Sequence, residues 1–425
     1  MSSARLTLGS FNVLNLVPGS TPELRHFFYR LEPQNSYWAA DAGASGMSAY
    51  EQKIRWLAQQ IDKMDCDVIA FQEVFAEEPL REAIALSKWA EHHHTLVMGG
   101  ETEYEEAEFK GVPARVYYKP RVALLVRGDW KVDAEVLHEY PKGFSFNEPL
   151  LGRDGVEREF GYRVEGEPVR KMYRPMLRAE LTLPEWSERL KGVEDDERGK
   201  VVVYAAHFKS KAPMADMPHE GSTADKARAY ARQNALGAAR SAMIRTVDAA
   251  ALRWNVINDL EDKPNRPVVL IGDLNDELEA VSTDVAGGLS VPYFSRDDYP
   301  DDDREYMRHV CSDLALYSTA RRHGRKTQRD VMYTFFWDGQ HNTLDHILVS
   351  RHFMPDWMRE NWGSPAVGDV GSLRVYNDHL MDDMLDDIEH WQVSKHHARR
   401  SDHGQVVVRL DWDRRPRDKD DDDDD

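Results

Sequence analysis

The chain has 425 residues, of which 41% are hydrophobic and 31% charged, and this balance is typical of a globular protein rather than a disordered one. The absence of any run of about 18 apolar residues excludes a conventional membrane-spanning helix, and residues 1–16 lack the pattern of a secretory signal. The net charge of −20 argues against a broad phosphate-binding face, so a polyanionic substrate would require a local basic patch or a bound cation.

The two cysteines, Cys66 and Cys311, are too few for a disulfide framework. Free thiols are typical of a reducing compartment. We therefore expect the protein to be cytoplasmic.

The first elements alternate between strand and helix. Residues 6–14 alternate as a half-buried strand does, and residues 15–50 contain prolines and glycines that predict a loop or insertion. Apolar residues then recur at helical spacing from Ile54 to Met64, which predicts an amphipathic helix. Residues 67–74, "DVIAFQEV", follow as a short buried strand.

Most of the later elements are strands. The sequence predicts strands at 121–127, 174–183 and 200–211, a helix from an N-cap at Thr223 to about Leu260, and a buried strand at 268–271. An acidic loop (297–303) precedes strands in "TLDHILVSRH" and in "SDHGQVVVRLDW". Because many strands follow one another without a helix between them, we expect stacked sheets with outer helices. We interpret residues 1–412 as one catalytic domain with loop insertions, and residues 413–425 as an acidic disordered tail.

Polar side chains recur where the predicted strands begin or end. Taken singly, each has an ordinary interpretation as a surface carboxylate, a turn residue or a hydrogen-bonded core histidine. Together they form a complementary set at strand ends, where catalytic groups tend to lie. The set is Asn12, Glu73, His207, Asp273, Asn275, Asp345, Asp402 and His403.

Four of these residues suit the metal and the base of a phosphate-ester hydrolase. Mg²⁺ neutralises charge that grows in the transition state and binds to carboxylates, so Glu73 and Asp402 are candidate metal ligands. A histidine titrates near neutral pH, so His403 is the candidate base that activates water. Asp345 is the candidate carboxylate that orients His403.

The remaining four suit positioning and charge stabilisation. Asp273, Asn275 and Asn12 would position the nucleophile, the metal shell or the phosphate. His207 would stabilise the phosphoryl oxygens or assist the leaving group.

Signatures of several other chemistries are missing from the sequence. It contains no H-E-x-x-H, G-x-S-x-G, P-loop, G-x-G-x-x-G or paired C-x-x-C motif. Three adjacent histidines (92–94) cannot all point at one metal from a regular helix or strand, so we interpret them as solvated surface.

The ordered motifs "FNVLN", "DVIAFQEV", "AAHFKSK", "GDLND", "LDHILVS" and "SDHG" resemble the endonuclease/exonuclease/phosphatase superfamily, whose fold is DNase I-like. The resemblance extends from Asn12 to His403. The additional motif "RVYNDHL" (374–380) is similar to one found in a bacterial branch of that superfamily.

This resemblance implies an α/β fold, a four-layer α/β sandwich in which two mixed β-sheets pack face to face with helices outside. It implies Mg²⁺ or Mn²⁺ as the cofactor, Glu73 as the principal metal ligand and Asn12 as support for metal and phosphate. It also implies that His207 contacts phosphate, and that Asp273 and Asn275 contact the nucleophile and the phosphate. Asp345 would orient the last histidine, and Asp402 and His403 would form the terminal pair.

The leading hypothesis is a divalent-metal-dependent phosphodiesterase that cleaves nucleic acid, either DNA or RNA. A second hypothesis keeps the chemistry for a small phosphoester, a nucleotide or a phospholipid headgroup, and a third is a catalytically inactive binding module. Long segments (15–50, 284–330 and 351–400) would set substrate choice, and His346 and His379 have no assigned role. A local basic patch could include Lys209, Lys211, Arg170, Lys171 and Arg174, although scattered solubilising charges explain them equally well.

Overall fold

The computed structural model describes most of the chain. The described residues are 4–18, 47–109, 112–117, 119–145, 150–151, 157–158, 163–164, 167–183, 199–216, 218–288, 296, 298–326, 331–337, 339–354, 368–380 and 400–412. The predicted acidic tail (413–425) and most of the predicted loop 15–50 lie outside this set.

The strands in chain order are β1 (Ala4–Leu16), β2 (Val68–Val74), β3 (His94–Met98), β4 (Tyr104–Phe109), β5 (Val112–Tyr117), β6 (Arg121–Arg127), β7 (Lys131–Glu139), β8 (Leu150–Leu151), β9 (Glu157–Arg158), β10 (Arg163–Val164), β11 (Glu167–Pro168), β12 (Lys171–Thr182), β13 (Lys200–His207), β14 (Val268–Asp273), β15 (Leu316–Ser318), β16 (Phe335–Trp337), β17 (Gln340–Asn342), β18 (Asp345–Ser350), β19 (Gly368–Tyr376) and β20 (Gln405–Trp412).

The α-helices are α1 (Ala49–Met64), α2 (Glu77–Leu86), α3 (Thr223–Asp262), α4 (Val281–Gly287), α5 (Asp301–Asp313) and α6 (Thr319–Lys326). Short 3-10 helices lie at Lys88–Glu91 and Arg351–Phe353. None of the described helices is long and apolar enough to cross a membrane.

Two six-stranded mixed sheets carry the fold, in the orders β19-β20-β1-β2-β6-β3 and β15-β18-β14-β13-β12-β7. Each sheet has one parallel pair near its centre, β1 with β2 and β13 with β14, and antiparallel neighbours on both sides. Parallel strands end at the same edge of a sheet. The ends of these four strands meet in space, since Asn12 of β1 is hydrogen-bonded to Asp273 of β14. We call this edge the carboxyl edge.

Period-two burial explains the four layers. Along β13, Val201, Val203 and Ala205 join the core between the sheets, whereas Val202 and Tyr204 pack in the cluster under α3. The first sheet alternates in the same way, with its outer face covered by α1 and α2. The chain is therefore a four-layer α/β sandwich with two mixed β-sheets packed face to face, as predicted.

Several predicted boundaries are wrong for identifiable reasons. The N-cap of α3 is Ser222, whose hydroxyl accepts from the Asp225 amide, and Thr223 is already helical. The predicted strand at 200–211 ends at His207. The predicted acidic loop 297–303 contains the start of α5, because three aspartates in a first helical turn interact favourably with the helix dipole. The segment 284–330 also contains α6 and β15.

The two cysteines are both free, as expected: Cys66 is buried and Cys311 is half-buried.

Candidate active site

Three predicted site residues lie side by side at the carboxyl edge of the second sheet. His207 ends β13, Asp273 ends β14, and Asp345 begins β18. The strand registers pair His207 with Asp273, and Asp273 with Asp345. All three are almost fully buried. The core strands therefore deliver an imidazole and two carboxylates to one place.

Gly272 lets these strands approach closely. A Cβ atom at this position would lie 1.9 Å from the carbonyl oxygen of Ala206 in the neighbouring strand, which is far inside a van der Waals contact. Only glycine fits such a close backbone approach. The glycine that ends the apolar run is thus a packing requirement directly before Asp273.

Asn275 holds Asp273 in place. Its backbone is left-handed (φ 53°), a conformation that asparagine tolerates better than most residues. Its amide N–H donates to Oδ1 of Asp273 (2.8 Å), and its side-chain Nδ2 donates to Oδ2 of Asp273 (3.1 Å) and to the Phe208 carbonyl (3.1 Å). These bonds occupy its side-chain donors, so Asn275 orients the aspartate.

The first sheet contributes Asn12 and Glu73 through irregular backbone. Asn12 Nδ2 donates to Oδ2 of Asp273 (3.0 Å), and its Oδ1 accepts from the Leu14 amide (3.0 Å). Leu14 and Asn15 are both left-handed (φ 50° and 48°), and the pairing of β1 with β2 shifts register there. Glu73 is left-handed as well (φ 62°), and its Oε2 accepts from the Asn15 amide (2.9 Å).

His403 approaches the same carboxylates from the start of β20. Its Nδ1 lies 2.8 Å from Oδ2 of Asp345, and its Nε2 lies 3.9 Å from Oδ2 of Asp273. The Ser401 hydroxyl accepts from the His403 amide (3.0 Å) and donates to the Asn12 carbonyl (2.6 Å). The Phe335 ring packs at 4.9 Å between centroids. The hydrogen bond to Asp345 and the contact with Phe335 thus hold the imidazole, and Ser401 holds its main chain.

The charges of this cluster are coupled. Burial alone would lower the pKa of His403, but Asp345 and Asp273 raise it well above its usual value. Burial raises the pKa of Asp273 to about 7. The positive charge of His403 lowers this pKa, and the negative charge of Asp345 raises it. The protonation of Asp273 therefore depends on that of His403, and the reverse also holds.

His207 behaves differently. Burial lowers its pKa well below the usual value, and the positive charges of Arg174, His403 and Lys209 lower it further. Its Nε2 lies 3.6 Å from Asp273 and 3.9 Å from Glu73, and neither ring nitrogen has a hydrogen-bond partner among the described residues. A neutral imidazole is therefore available to a ligand.

Lys53 is a site residue that the sequence reasoning missed. It is fully buried on α1, and its Nζ donates to the Leu14 carbonyl in the irregular stretch of β1. Burial lowers its pKa to about 7, although the negative charges of Asp402 and Glu73 act in the opposite direction and raise it. A signal was present, because Lys53 lies four residues before Leu57 and eight before Ile61, on the apolar stripe of the helix.

Of the proposed basic patch, Arg174 lies nearest the predicted catalytic residues. Arg174 donates from Nη1 to the Phe208 carbonyl (2.7 Å). Burial lowers the pKa of Arg174, whereas the negative charges of Glu73 and Asp273 raise it. Lys209 is buried and donates to Ser210 and Ala212, so it holds that loop. Lys211 lies 3.4 Å from Asp276, while Arg170 and Lys171 are exposed. The five residues do not form one patch.

The two histidines left unassigned by the sequence have structural contacts. His346 is buried, and its Nε2 lies 2.8 Å from the Asp276 carbonyl. His379 lies with Nε2 at 2.9 Å from the His403 carbonyl, beside the ring of Trp56. His379 therefore supports the main chain of His403, and His346 supports the loop that follows Asn275.

The donor set fits a hard divalent cation. Oδ1 of Asp402 and Oδ1 of Asp345 are buried without a hydrogen-bond partner among the described residues. Among those residues, the cluster whose possible ligand atoms all lie within 4.8 Å of one another is Asp273, Asp345 and His403. This cluster differs from the predicted metal set of Asn12, Glu73 and Asp402. Mg²⁺ prefers oxygen ligands such as these carboxylates supply.

Comparison with known proteins identifies a family model over most of the chain. Residues 9–403 match the model described as the Endonuclease/Exonuclease/phosphatase family. No curated protein matches the chain in sequence.

Solved structures match the chain along most of its length at low identity. A mannosyl-6-phosphatase of Bacteroides thetaiotaomicron is 12% identical, with a TM-score of 0.44 over 95% of this chain and 99% of that one. Truncated TDP2 of Caenorhabditis elegans is 12% identical, with a TM-score of 0.43 over 96% and 97% of the two chains. The human Nocturnin catalytic domain with a bound sulfate anion is 11% identical, with a TM-score of 0.41 over 96% and 95%.

Proposed function

Because the chain belongs to the Endonuclease/Exonuclease/phosphatase family, we propose that it is a phosphodiesterase that hydrolyses nucleic acid with the help of Mg²⁺ or Mn²⁺. Members of this family are generally hydrolases of phosphate esters that depend on a divalent metal. The observation that carries the proposal is the convergence of His403, Asp345 and Asp273 with His207, drawn from both sheets.

Glu73 and Asp402 would hold the metal, with Asn12 in support. Asp402 has a buried oxygen without a hydrogen bond among the described residues, and Glu73 uses one oxygen on the Asn15 amide. The Asp273–Asp345–His403 cluster suits this role less well, since Nδ1 of His403 and both oxygens of Asp273 already have partners inside the site. When bound, the cation would neutralise charge that develops on the phosphoryl oxygens.

The coupled pair of Asp273 and His403 would take up the proton of the attacking water. The two groups lie 3.9 Å apart, and Asp345 fixes the orientation of the imidazole from the opposite side. A group whose pKa lies near 7 is efficient in general base catalysis at neutral pH. Asn12 and Asn275 would hold Asp273 in position through their amide hydrogen bonds.

His207 and Arg174 would stabilise the phosphate. The neutral imidazole of His207 can donate a hydrogen bond to a phosphoryl oxygen, and the Arg174 guanidinium adds positive charge on the same side. Preformed donors and charges of this kind favour the transition state because they need no reorganisation during the reaction.

A cleavage assay tests the proposal. Purified protein is incubated with plasmid DNA, single-stranded DNA, RNA and bis-p-nitrophenyl phosphate, in the presence of Mg²⁺, Mn²⁺ or EDTA. We expect metal-dependent cleavage of nucleic acid, and we expect His403→Ala to reduce the turnover number by about 10²–10⁴-fold, the usual contribution of acid–base catalysis.

The matched control is His93→Ala. His93 is exposed at the opposite edge of the first sheet, where its carbonyl accepts from Gly128, so this variant should keep full activity and reveal any contaminating nuclease. Turnover of the small diester alone would assign a small phosphoester instead. Cleavage that survives equally in His403→Ala would contradict the assigned site.

A further inference from the structure

Helix α3 is much longer than the strands on which it packs. Arg245 Nη1 donates to the Lys209 carbonyl (3.1 Å), Ser241 Oγ donates to the Ala212 carbonyl (2.8 Å), and the Met214 amide donates to the Gly237 carbonyl (3.2 Å). The chain leaving His207 thus follows the helix toward its N-terminus, away from the sheet. Residues 223–236 therefore extend about 20 Å farther, at 1.5 Å per residue, beyond the carboxyl edge.

This projecting part is basic in an acidic protein. Residues 223–240 contain four arginines and lysines and one aspartate, in a chain whose net charge is −20. Arg245 is buried and binds Asp276, but Arg228, Arg232 and Arg240 are exposed. The ion pair of Arg228 with Asp225 (3.3 Å) is exposed on both sides, so water and salt screen it.

We propose that residues 223–240 of α3 form a docking arm for the phosphodiester backbone of a nucleic acid strand whose scissile phosphate lies at the carboxyl edge. This inference rests on the proposed nuclease function and specifies how the strand is held. The net charge of −20 repels a polyanion, so a strand needs a local run of cations near the site. The docking arm supplies that run beside the site residues.

The length of the docking arm makes it selective for polymers. Arg232 and Arg228 lie about one and a half and two and a half helical turns beyond the Met214–Gly237 contact, and Arg240 lies about one turn on its near side. A small diester in the site cannot reach the two outer arginines. A strand of several nucleotides spans that distance. The docking arm should therefore affect binding of an oligonucleotide and leave turnover of bis-p-nitrophenyl phosphate unchanged.

The test compares two triple variants of equal charge. The first is Arg228→Gln, Arg232→Gln and Arg240→Gln. The control is Arg55→Gln, Arg81→Gln and Arg308→Gln, which removes three exposed arginines on α1, α2 and α5. Fluorescence anisotropy with labelled single-stranded DNA and RNA of about 20 nucleotides, in EDTA, measures binding without turnover.

We expect the first variant to bind about tenfold more weakly at low salt, and the slope of log Kd against log salt to fall by about 2, from three lost contacts at about 0.7 each on single strands. The control should match the wild-type protein, and both variants should hydrolyse the small diester at the wild-type rate. Equal loss in both variants, or loss of small-diester turnover in the first, would overturn the docking arm. A wild-type protein that binds but never cleaves oligonucleotide would leave the arm intact and overturn the nuclease proposal.

Discussion

Four non-glycine residues with left-handed backbone lie in the candidate site: Leu14, Asn15, Glu73 and Asn275. Such conformations are unfavourable for a leucine or a glutamate and persist only when surrounding contacts impose them. Here each is tied by a hydrogen bond involving Asn12, Asp273 or Glu73. The strain lies where side chains must be aimed, which is typical of functional sites.

Asp248 gives a prediction at the same scale. It is buried on α3, where it accepts from the Tyr173 amide (3.2 Å) and the Tyr140 hydroxyl (3.3 Å). Burial raises its pKa to about 7, against these hydrogen bonds and the charge of Arg174. The folded-state pKa of Asp248 lies above the unfolded value of about 4. Protonated Asp248 therefore contributes its full stabilisation of the fold below about pH 4, and this contribution is lost as pH rises through about 7.

Asp248→Asn should remove this dependence, since the neutral amide can still accept both hydrogen bonds. We expect the free energy of unfolding of the variant to rise relative to the wild type by up to about 1.4 kcal/mol per pH unit between pH 5 and 7. Urea unfolding at several pH values measures it. Asp262→Asn, an exposed acid on the same helix, is the control and should give a constant difference. Parallel curves for Asp248→Asn would show that the buried acid is already charged at pH 5.

At the scale of elements, α1 contacts the irregular stretch of β1 through Lys53. The Lys53 ammonium donates to the Leu14 carbonyl, between Asn12, which donates to Asp273, and Asn15, whose amide donates to Glu73. We expect this bond to hold the irregular stretch in place. Lys53→Met keeps a similar length but loses this bond. Loss of groups that orient ligands typically costs about 10–100-fold in metal affinity or activity, and we expect a loss of that size.

Mn²⁺ titration followed by electron paramagnetic resonance separates this positioning role from a general packing role. Lys53→Arg should recover part of the metal affinity. The control is Arg55→Met: Arg55 is exposed two residues farther along α1, so its replacement should leave the metal affinity unchanged. A lower melting temperature of Lys53→Met with unaltered Mn²⁺ affinity would show that Lys53 only stabilises the fold.

Elements were predicted well where burial produces a continuous apolar run and poorly elsewhere. The strand at Arg121–Arg127 has its predicted bounds, because six of its seven residues are buried. Strand β7 was missed, since it is mostly exposed and carries alternating charges. Strand β19 was missed because its two glycines and two charged residues interrupt its apolar residues, so they form no continuous run. Local periodicity records burial, so edge strands leave a weak pattern.

At the scale of the whole molecule, the sequence predicted which residues are brought together but not how they bond. Six short motifs in order indicated the family and its sandwich, and seven of the eight predicted residues have described contacts that join them at the carboxyl edge. Asp402 is linked to these residues through Lys53, whose pKa is raised by the negative charge of Asp402. The place of Lys53 on the apolar stripe of α1 indicated that it is buried, but its hydrogen bond to Leu14 and the irregular backbone of β1 could not be predicted, because both depend on contacts between residues distant in the chain.

The acids that meet at the carboxyl edge link metal binding to the stability of the whole fold. Asp273 and Asp345 lie on the second sheet. Glu73 lies on β2 of the first sheet, and Asp402 lies directly before β20 of the same sheet. A cation bound only to the folded chain stabilises it by about 2.7 kcal/mol at a concentration of 100 times Kd. We therefore expect saturating Mg²⁺ to raise the melting temperature by a few degrees relative to EDTA.

Calorimetry on Glu73→Gln and Asp402→Asn locates the metal within the cluster. Each substitution keeps the shape of the side chain, so the fold should persist while the Mg²⁺ shift disappears. Asp129→Asn, an exposed carboxylate beside His93 at the opposite edge, should retain the shift. If Glu73→Gln and Asp402→Asn retain it and Asp345→Asn alone loses it, the metal lies in the Asp273–Asp345–His403 cluster instead. The catalytic roles of that cluster would then have to be exchanged with those of Glu73 and Asp402.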